Sequence, residues 1–240
     1  MHLMVSRETQ IESLTMHPRH IFGLSWRFLL TVVLSGSSAT SQAASSSCGP
    51  LENPYGPYDY VTQKDHLRVV EQHHFTPQVE ALVTGSSSVH VGEDIDYTLR
   101  AYPNHHRALM SVVRLGERQH SSQPVGLSYS VECYFERALR FRPADSLVRM
   151  IYARYLFLEH RDQQANDQLE AAAGFAGDDA FAHYNIGLLY LQHENYPLAL
   201  THAQKAYALG FPQPALRDQL QLRGQWKEPK EPESPAITGR

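Results

Sequence analysis

The sequence has little of what marks several common classes of function. Lys and Arg number 21 against 25 Asp and Glu, giving a net charge of −4, so the chain has no basic surface of the kind that nucleic-acid binding requires. It contains no Gly-x-Ser-x-Gly turn and no Gly-rich phosphate loop, and we therefore predict no enzyme and no cofactor. The apolar run at residues 28–34 is too short to span a bilayer, which takes roughly 20 residues. With 42% hydrophobic and 19% charged residues, the composition is that of a globular protein.

The N-terminal residues 1–43 have the layout of a secretory signal. Basic Arg27 precedes the apolar run at 28–34, and the tripeptide at 41–43 supplies a small-x-small cleavage site. Met16 is a possible start, because the residues before it are polar. We therefore expect a periplasmic or secreted protein. The alternative is an uncleaved signal that anchors the chain to the membrane.

Only two cysteines are present, Cys48 and Cys133. In an exported protein they can pair. Two unpaired thiols are the alternative, because Cys133 lies inside a helical pattern and fits a core position, while Cys48 lies close to the start of the mature chain. Both states stay open at the level of sequence, and we favour unpaired thiols.

A period of 34 residues runs through the second half of the chain. Ala138, Ala172 and Ala206 are spaced by 34, and so are Ala165 and Ala199. Stacked helix–turn–helix units produce a fixed period of this length, because small residues at fixed positions let neighbouring helices approach closely. The residues predicted to make this packing are Ala138, Ala165, Ala172, Gly187, Tyr190, Ala199 and Ala206.

The clearest unit lies at residues 183–209. Its first helix carries Tyr184, Gly187 and Tyr190, and its second opens with Pro197, which the first turn of a helix accepts. The pattern resembles the tetratricopeptide repeat (TPR), whose motif runs aromatic, Leu-Gly, Tyr, then Ala, aromatic, Ala, Pro. The chain as a whole is similar to exported bacterial TPR proteins that carry the arrangement YGPYDY, DYTLRAYPNHHRAL, CYFERALRFRP.

This resemblance implies an all-α fold built from a short array of about three TPR helical hairpins, an α–α superhelix. A helical cap with a polar outer face should end the array, and a disordered, charged tail should follow it. A polar loop is inserted in the first hairpin. The predicted ranges are hairpins at 104–143, 146–177 and 180–212, the inserted loop at 117–128, the cap at 214–223 and the tail at 224–240.

Residues 44–103 fit no repeat and are predicted to be partly irregular and partly helical. The stretch CGPLENPYGPYDYV is rich in Pro, Gly and Tyr and has little capacity for regular structure. DHLRVVEQHHF and TPQVEALVTG are predicted to be helical, the second opened by Thr76 as cap. In DIDYTLRAYPN the apolar positions follow helical spacing, which favours a helix over a strand.

The resemblance also implies a concave groove lined by the first helix of each hairpin and suited to a peptide. Its residues are mostly apolar, with Arg154 as the one fixed charge, which favours an amphipathic helix or an apolar peptide over an acidic tail. Alternatively, the chain's own Tyr55, Tyr58 and Tyr60 fill the groove. The predicted groove residues are Leu147, Met150, Arg154, Phe157, Phe181, Tyr184, Leu188 and Leu191.

We therefore expect an exported scaffold or adaptor that binds a protein or peptide partner in the cell envelope, without catalysis. The alternative is a metal-binding or redox-linked periplasmic protein, because His73 and His74, and likewise His105 and His106, are adjacent pairs. Adjacent side chains on a helix point about 100° apart, so the fold would have to bring both pairs together around one ion. His183, at an aromatic position of the repeat, is expected to pack in the core.

Overall fold

The computed structural model describes residues 48–228, so the predicted signal at 1–43 and residues 229–240 of the predicted tail lie outside it. Within 48–228 the chain forms ten α-helices and no strand, which confirms the all-α prediction. The helices are α1 (Leu67–His74), α2 (Pro77–Glu80), α3 (Val91–Ala101), α4 (His106–Gln119), α5 (Val131–Phe141), α6 (Ser146–Leu158), α7 (Asp162–Ala176), α8 (Ala180–Gln192), α9 (Tyr196–Ala208) and α10 (Ala215–Leu222).

Helices α6–α7 and α8–α9 form two hairpins with the same construction. Helix α8 begins and ends 34 residues after α6, and each is capped by an aspartate, Asp145 or Asp179, whose carboxylate accepts backbone N–H groups of the first turn. The turns that join the hairpin helices both contain a residue in the left-handed region, His160 with φ 56° and Glu194 with φ 57°. The 34-residue period of the sequence is therefore also a period of the backbone.

Helices α4, α6 and α8 pack side by side, because α6 lies against both α4 and α8. The helices α5, α7 and α9 follow them in the chain, and α10 covers the end of the last hairpin by packing on α8 and α9. The alanines of the period, from Ala138 to Ala206, are fully buried. At Gly187 a Cβ atom would lie only 2.7 Å from Cδ2 of Leu216, so this glycine lets α10 approach α8.

The irregular segment at 48–66 is bound to the first helices rather than free. Cys48 and Cys133 form a disulfide, which corrects the preference for unpaired thiols. Beside it Arg137, which is almost fully buried, donates from Nη1 to the carbonyl oxygens of Cys48 and Pro50. The sequence around Cys133 on α5 could not identify Cys48 as its partner, because the two cysteines are 85 positions apart.

The N-terminal helices follow the sequence prediction in part, since the TPQVEALVTG stretch is helical only over Pro77–Glu80. Thr76 caps α2 by accepting the Val79 N–H, and the DIDYTLRAYPN stretch is helical in α3, as its spacing indicates. The fully buried carboxylate of Asp94 on α3 accepts backbone N–H groups at residues 86–88 and a hydrogen bond from Nδ1 of His74. One buried carboxylate thus fixes the connection between α2 and α3.

The inserted loop packs on α3. Helix α4 continues to Gln119, beyond the predicted loop start, and a Cβ atom on Gly92 would lie 2.1 Å from the carbonyl oxygen of Val125, so the backbones touch. Asp96 accepts the Ser128 N–H at 3.2 Å and the Tyr134 hydroxyl at 2.5 Å. Burial, followed by the nearby Asp96 charge, raises the pKa of that tyrosine.

The prediction of a disordered tail from residue 224 is wrong for its first residues. The N–H groups of Gln225 and Trp226 both donate to the Leu220 carbonyl oxygen, and Trp226 packs against the core. The Arg217 guanidinium lies over the rings of Trp226 and Tyr207. An aromatic side chain with apolar surface to bury therefore outweighs the polar composition around it.

Candidate protein-binding groove

An open groove runs across the aligned helices α4, α6 and α8. It contains a cavity of about 220 Å³. A second depression of about 270 Å³ at the start of α6 and α8 shares Leu147 and Met150 with it. The lining of the first cavity is Met110, Leu147, Met150, Ile151, Arg154, Asn185, Leu188, Leu189 and Gln192.

Five of the eight predicted groove residues lie on these surfaces. Leu147, Met150, Arg154 and Leu188 line the first cavity, and Phe181 lines the second. Met110, which the sequence analysis did not include, completes the groove from α4 and is 41% exposed. Met110 lies two hairpins before Leu188 in the sequence, so no local pattern could identify it as a groove residue.

The other three predicted groove residues lie in the core. Tyr184 is 5% exposed and stacks on Phe211 with ring centroids 4.2 Å apart. Phe157 stacks on His193 at 3.5 Å, and Leu191 is buried in the main cluster. The physical reason is that α6, which carries Phe157, and α8, which carries Tyr184 and Leu191, each pack against helices on several sides. Helical spacing alone therefore did not separate their groove faces from their core faces.

Among the described residues, Arg154 carries the only formal charge on the first cavity. It is exposed, and within residues 48–228 it makes no ion pair and no side-chain hydrogen bond. The second depression is different, because the carboxylates of Asp145 and Asp179 and the side chains of Arg142 and His106 line it. The groove is therefore polarised along α6, with acidic caps at one end and an unpaired guanidinium toward the other.

The acidic end is a buried polar network. Asn104, fully buried, donates from Nδ2 to Asp59 and to Asp145, both at 3.0 Å, and Nε2 of His106 lies 3.0 Å from the Asp145 carboxylate. Burial opposes ionisation of Asp145, but the bonds from His106, Asn104 and a backbone N–H hold its pKa below the usual range. Arg142 pairs with Asp59, so the network joins the N-terminal segment to the start of α6.

The chain's own tyrosines do not fill the groove. Tyr55 and Tyr58 belong to a small separate cluster with Val70 on α1 and Tyr102 after α3, and Tyr60 packs against the rings of His105 and His106. The N–H of Tyr58 donates to the Ala101 carbonyl oxygen, which holds the segment at the end of α3. The alternative that these tyrosines cover the groove is therefore wrong: Tyr55 and Tyr58 face α1 and the end of α3, and Tyr60 faces the start of α4.

The four histidines considered as metal ligands are not brought together. His74 pairs with Asp94, His105 with Glu71 and His106 with Asp145, each at 2.9–3.2 Å, while His73 is exposed. In the part of the chain that the structure describes, no group of three or more His, Cys, Asp or Glu side chains is placed to hold a metal ion. These histidine–carboxylate pairs instead connect α1 to α3, α1 to α4 and α4 to α6.

His105 shows how such a pair works. Its Nδ1 accepts the Ala108 N–H as the cap of α4, so the proton of the neutral ring is on Nε2, which donates to Glu71 at 3.2 Å. Burial lowers the pKa of His105 and keeps it neutral, while the hydrogen bond from His105 lowers the pKa of Glu71. In this pair the neutral ring of His105 thus donates a hydrogen bond to the carboxylate of Glu71.

His183 packs in the core as expected, but against a partner that sequence reasoning missed. Its Nε2 donates to the Gly177 carbonyl oxygen at 2.9 Å, which leaves Nδ1 to accept from Nδ1 of His202 at 3.0 Å. Burial, and then the charge of His183, lowers the pKa of His202 to about 4. The only signal for this contact in the sequence is the spacing of 19 residues between His183 on α8 and His202 on α9.

Comparisons of the chain with protein-family models, with curated proteins and with solved structures find no match in any of the three. None of the helices between residues 48 and 228 combines the length and the apolar character needed to cross a bilayer.

Proposed function

We propose that this chain is an exported, TPR-like helical scaffold that holds a protein partner of the cell envelope in the groove formed by α4, α6 and α8. The observation that carries the proposal is the groove itself, in which Met110 and Leu188 expose apolar surface on three aligned helices. Contiguous exposed apolar surface can mark a site of protein interaction. The 34-residue spacing of α6 and α8 supports the repeat assignment, and the signal-like residues 1–43 support export.

The groove suits binding better than chemistry. The lining of its first cavity offers one guanidinium, two amides and otherwise apolar groups, and none of these readily accepts a proton or attacks a carbonyl group. In the second depression, Asp145, Asp179 and His106 are engaged in helix caps and in the hydrogen-bonded network described above. The proposal therefore assigns the chain an adaptor role without catalysis. Its binding energy should come from burial of apolar surface, about 25 cal/mol per Å² before the cost of association is subtracted.

Affinity capture from an envelope extract of the source organism tests this proposal. The bait is residues 44–240, compared with a variant that carries Phe181→Glu and Leu188→Glu in the groove. Both positions are exposed or half-buried, so the variant should keep its helical circular dichroism. We expect a protein that the unmodified bait retains and the variant loses.

The matched control carries Phe175→Glu and Leu198→Glu, exposed apolar positions on α7 and α9 outside the groove. It has the same change of charge, so it should retain the captured protein. If the groove variant, still folded, captures the same proteins as the unmodified chain, the binding site lies elsewhere.

A further inference from the structure

The chemistry of the partner can be taken further from the lining of the same groove, on the premise that the proposed function is correct. The cavity on α4, α6 and α8 has an apolar floor, amides at its rim in Asn185 and Gln192, and a single charged group, Arg154. Between residues 48 and 228, no carboxylate lines this cavity. A partner that covers it must bury apolar surface and also deal with one positive charge.

Arg154 differs from the other arginines close to it in sequence. Arg149 on α6 donates to the Pro143 carbonyl oxygen and to Gln168, and Arg161 after α6 pairs with Glu132. Arg154 has neither kind of contact among residues 48–228, and it is exposed. Covering its guanidinium with apolar surface would leave a buried, unpaired charge, which is strongly unfavourable.

A carboxylate on the partner removes that penalty. The guanidinium group is planar and weakly hydrated, and it pairs with a carboxylate through two parallel hydrogen bonds. A lysine or arginine at the same place would add repulsion to the loss of hydration. The groove therefore discriminates between partners by the sign of the charge on the one partner residue that lies beside Arg154.

The floor of the groove favours a helical partner over an extended one. Helices α4, α6 and α8 use their backbone N–H and C=O groups internally, so their surface offers no backbone partners to an extended chain. An extended peptide on this floor would bury most of its own amides unpaired, because the lining offers it only the polar side chains of Arg154, Asn185 and Gln192, whereas a helix satisfies its amides within itself. Neighbouring helix axes lie 8–10 Å apart, so three helices present roughly 20 Å, the length of about 13 helical residues.

We infer that the groove takes an amphipathic α-helix of about 13 residues that carries an Asp or Glu beside its apolar face, placed to pair with Arg154. Leu147, Ile151 and Arg154 have the i, i+4, i+7 spacing of one face of α6, which places the guanidinium beside the apolar floor that the partner helix covers.

Selection from a displayed library of helical 13-residue peptides tests the inference with three baits. These are the unmodified chain, Arg154→Glu and the groove-blocked Leu188→Glu variant. We expect the first bait to enrich peptides with Asp or Glu at one fixed position, and Arg154→Glu to enrich Lys or Arg there. Arg68→Glu, an exposed site on α1, is the charge-matched control and should select the same peptides as the unmodified chain.

Single peptides then give the size of the effect. Replacing the selected acidic residue by Gln or Asn should weaken binding to the unmodified chain roughly tenfold, within the range of close interfacial charge pairs. A Lys at that position should restore binding to Arg154→Glu to within about threefold, on the same basis.

The outcomes separate the inference from the proposed function. Peptides that are enriched without an acidic preference, or the same peptides on both the unmodified and the Arg154→Glu bait, would overturn the inference and leave groove binding intact. Equal enrichment on the unmodified and the Leu188→Glu baits would refute the groove as the binding site, and the inference with it.

Discussion

Removal of the Cys48–Cys133 disulfide should strongly destabilise this chain. The cross-link closes a loop with a sequence separation of 85 residues, more than a third of the 240-residue chain. Without it the unfolded chain gains conformational freedom, which lowers the free energy of unfolding by about 4.6 kcal/mol at 25 °C in the chain-entropy treatment. That is a large part of the 5–15 kcal/mol typical of a folded domain.

The assay is urea denaturation of residues 44–240, followed by helical circular dichroism. The Cys48→Ala and Cys133→Ala variants and the double variant are compared with the oxidised chain. Because either single change breaks the same cross-link, all three variants should lose nearly the same free energy. Their unfolding should also depend more steeply on urea, because an unfolded chain without the cross-link exposes more surface.

The reasoning fails if the free energy of unfolding of the double variant lies within about 1 kcal/mol of that of the oxidised chain, since the chain-entropy treatment then overstates the contribution of the closed loop. It fails differently if Cys133→Ala is much worse than Cys48→Ala. In that case lost packing in α5, and not the cross-link, is the dominant effect. Addition of a reductant to the unmodified chain in urea should reproduce the variants.

Three further changes test the packing and titration described above. Gly187→Val should lower the free energy of unfolding by about 1–3 kcal/mol through overpacking, because a Cβ at Gly187 already meets Leu216; thermal denaturation measures this. Asp94→Ala should make the backbone amides at 86–88 exchange at least about tenfold faster by hydrogen exchange, because their shared acceptor is lost. His202 should titrate near pH 4 when followed by NMR. Its contribution to the free energy of unfolding is complete above the pKa of about 6.5 that it has in the unfolded chain. That contribution should be lost as the pH falls from 6.5 toward 4, because the unfolded chain then binds the proton and the folded chain does not.

Each of these has a clear contrary result. If Leu216→Ala does not relieve Gly187→Val, the steric account of that glycine is wrong. Unchanged exchange at 86–88 would mean that the loop holds its shape without Asp94. A His202 that titrates near 6.5 would show that its ring is hydrated, and the His202→Phe variant would then have the same pH dependence of stability as the unmodified chain.

The helices of the second half could be predicted because their causes are local. An aspartate before each of α6 and α8 and a proline in the first turn of α9 act within a few residues, and the 34-residue alanine register shows that one such local pattern is repeated. The groove was predicted less well. The same periodicity that places Leu188 on the surface also allows Tyr184 there, and only the contact with Phe211 decides that Tyr184 is buried.

Contacts between distant residues account for most of what the sequence did not show. The disulfide, the Asp59–Asn104–Asp145 network and the His183–His202 pair each join elements whose separation is set by the completed fold. The adjacent histidines suggested metal binding because the carboxylates that pair with them could not be identified in advance. Met110 is a further case, because it becomes a groove residue only when α4 lies beside α6.

The disulfide also sets how the chain carries mechanical load. Any pull on the residues that precede Cys48 passes through its sulfur to Cys133 and enters the fold at helix α5. Residues 49–132, which include α1 to α4, then lie on a covalent loop beside the path of the force and are shielded from it. Helices α1 to α4 can therefore keep their shape, and α4 its place in the groove, while tension is applied along the polypeptide.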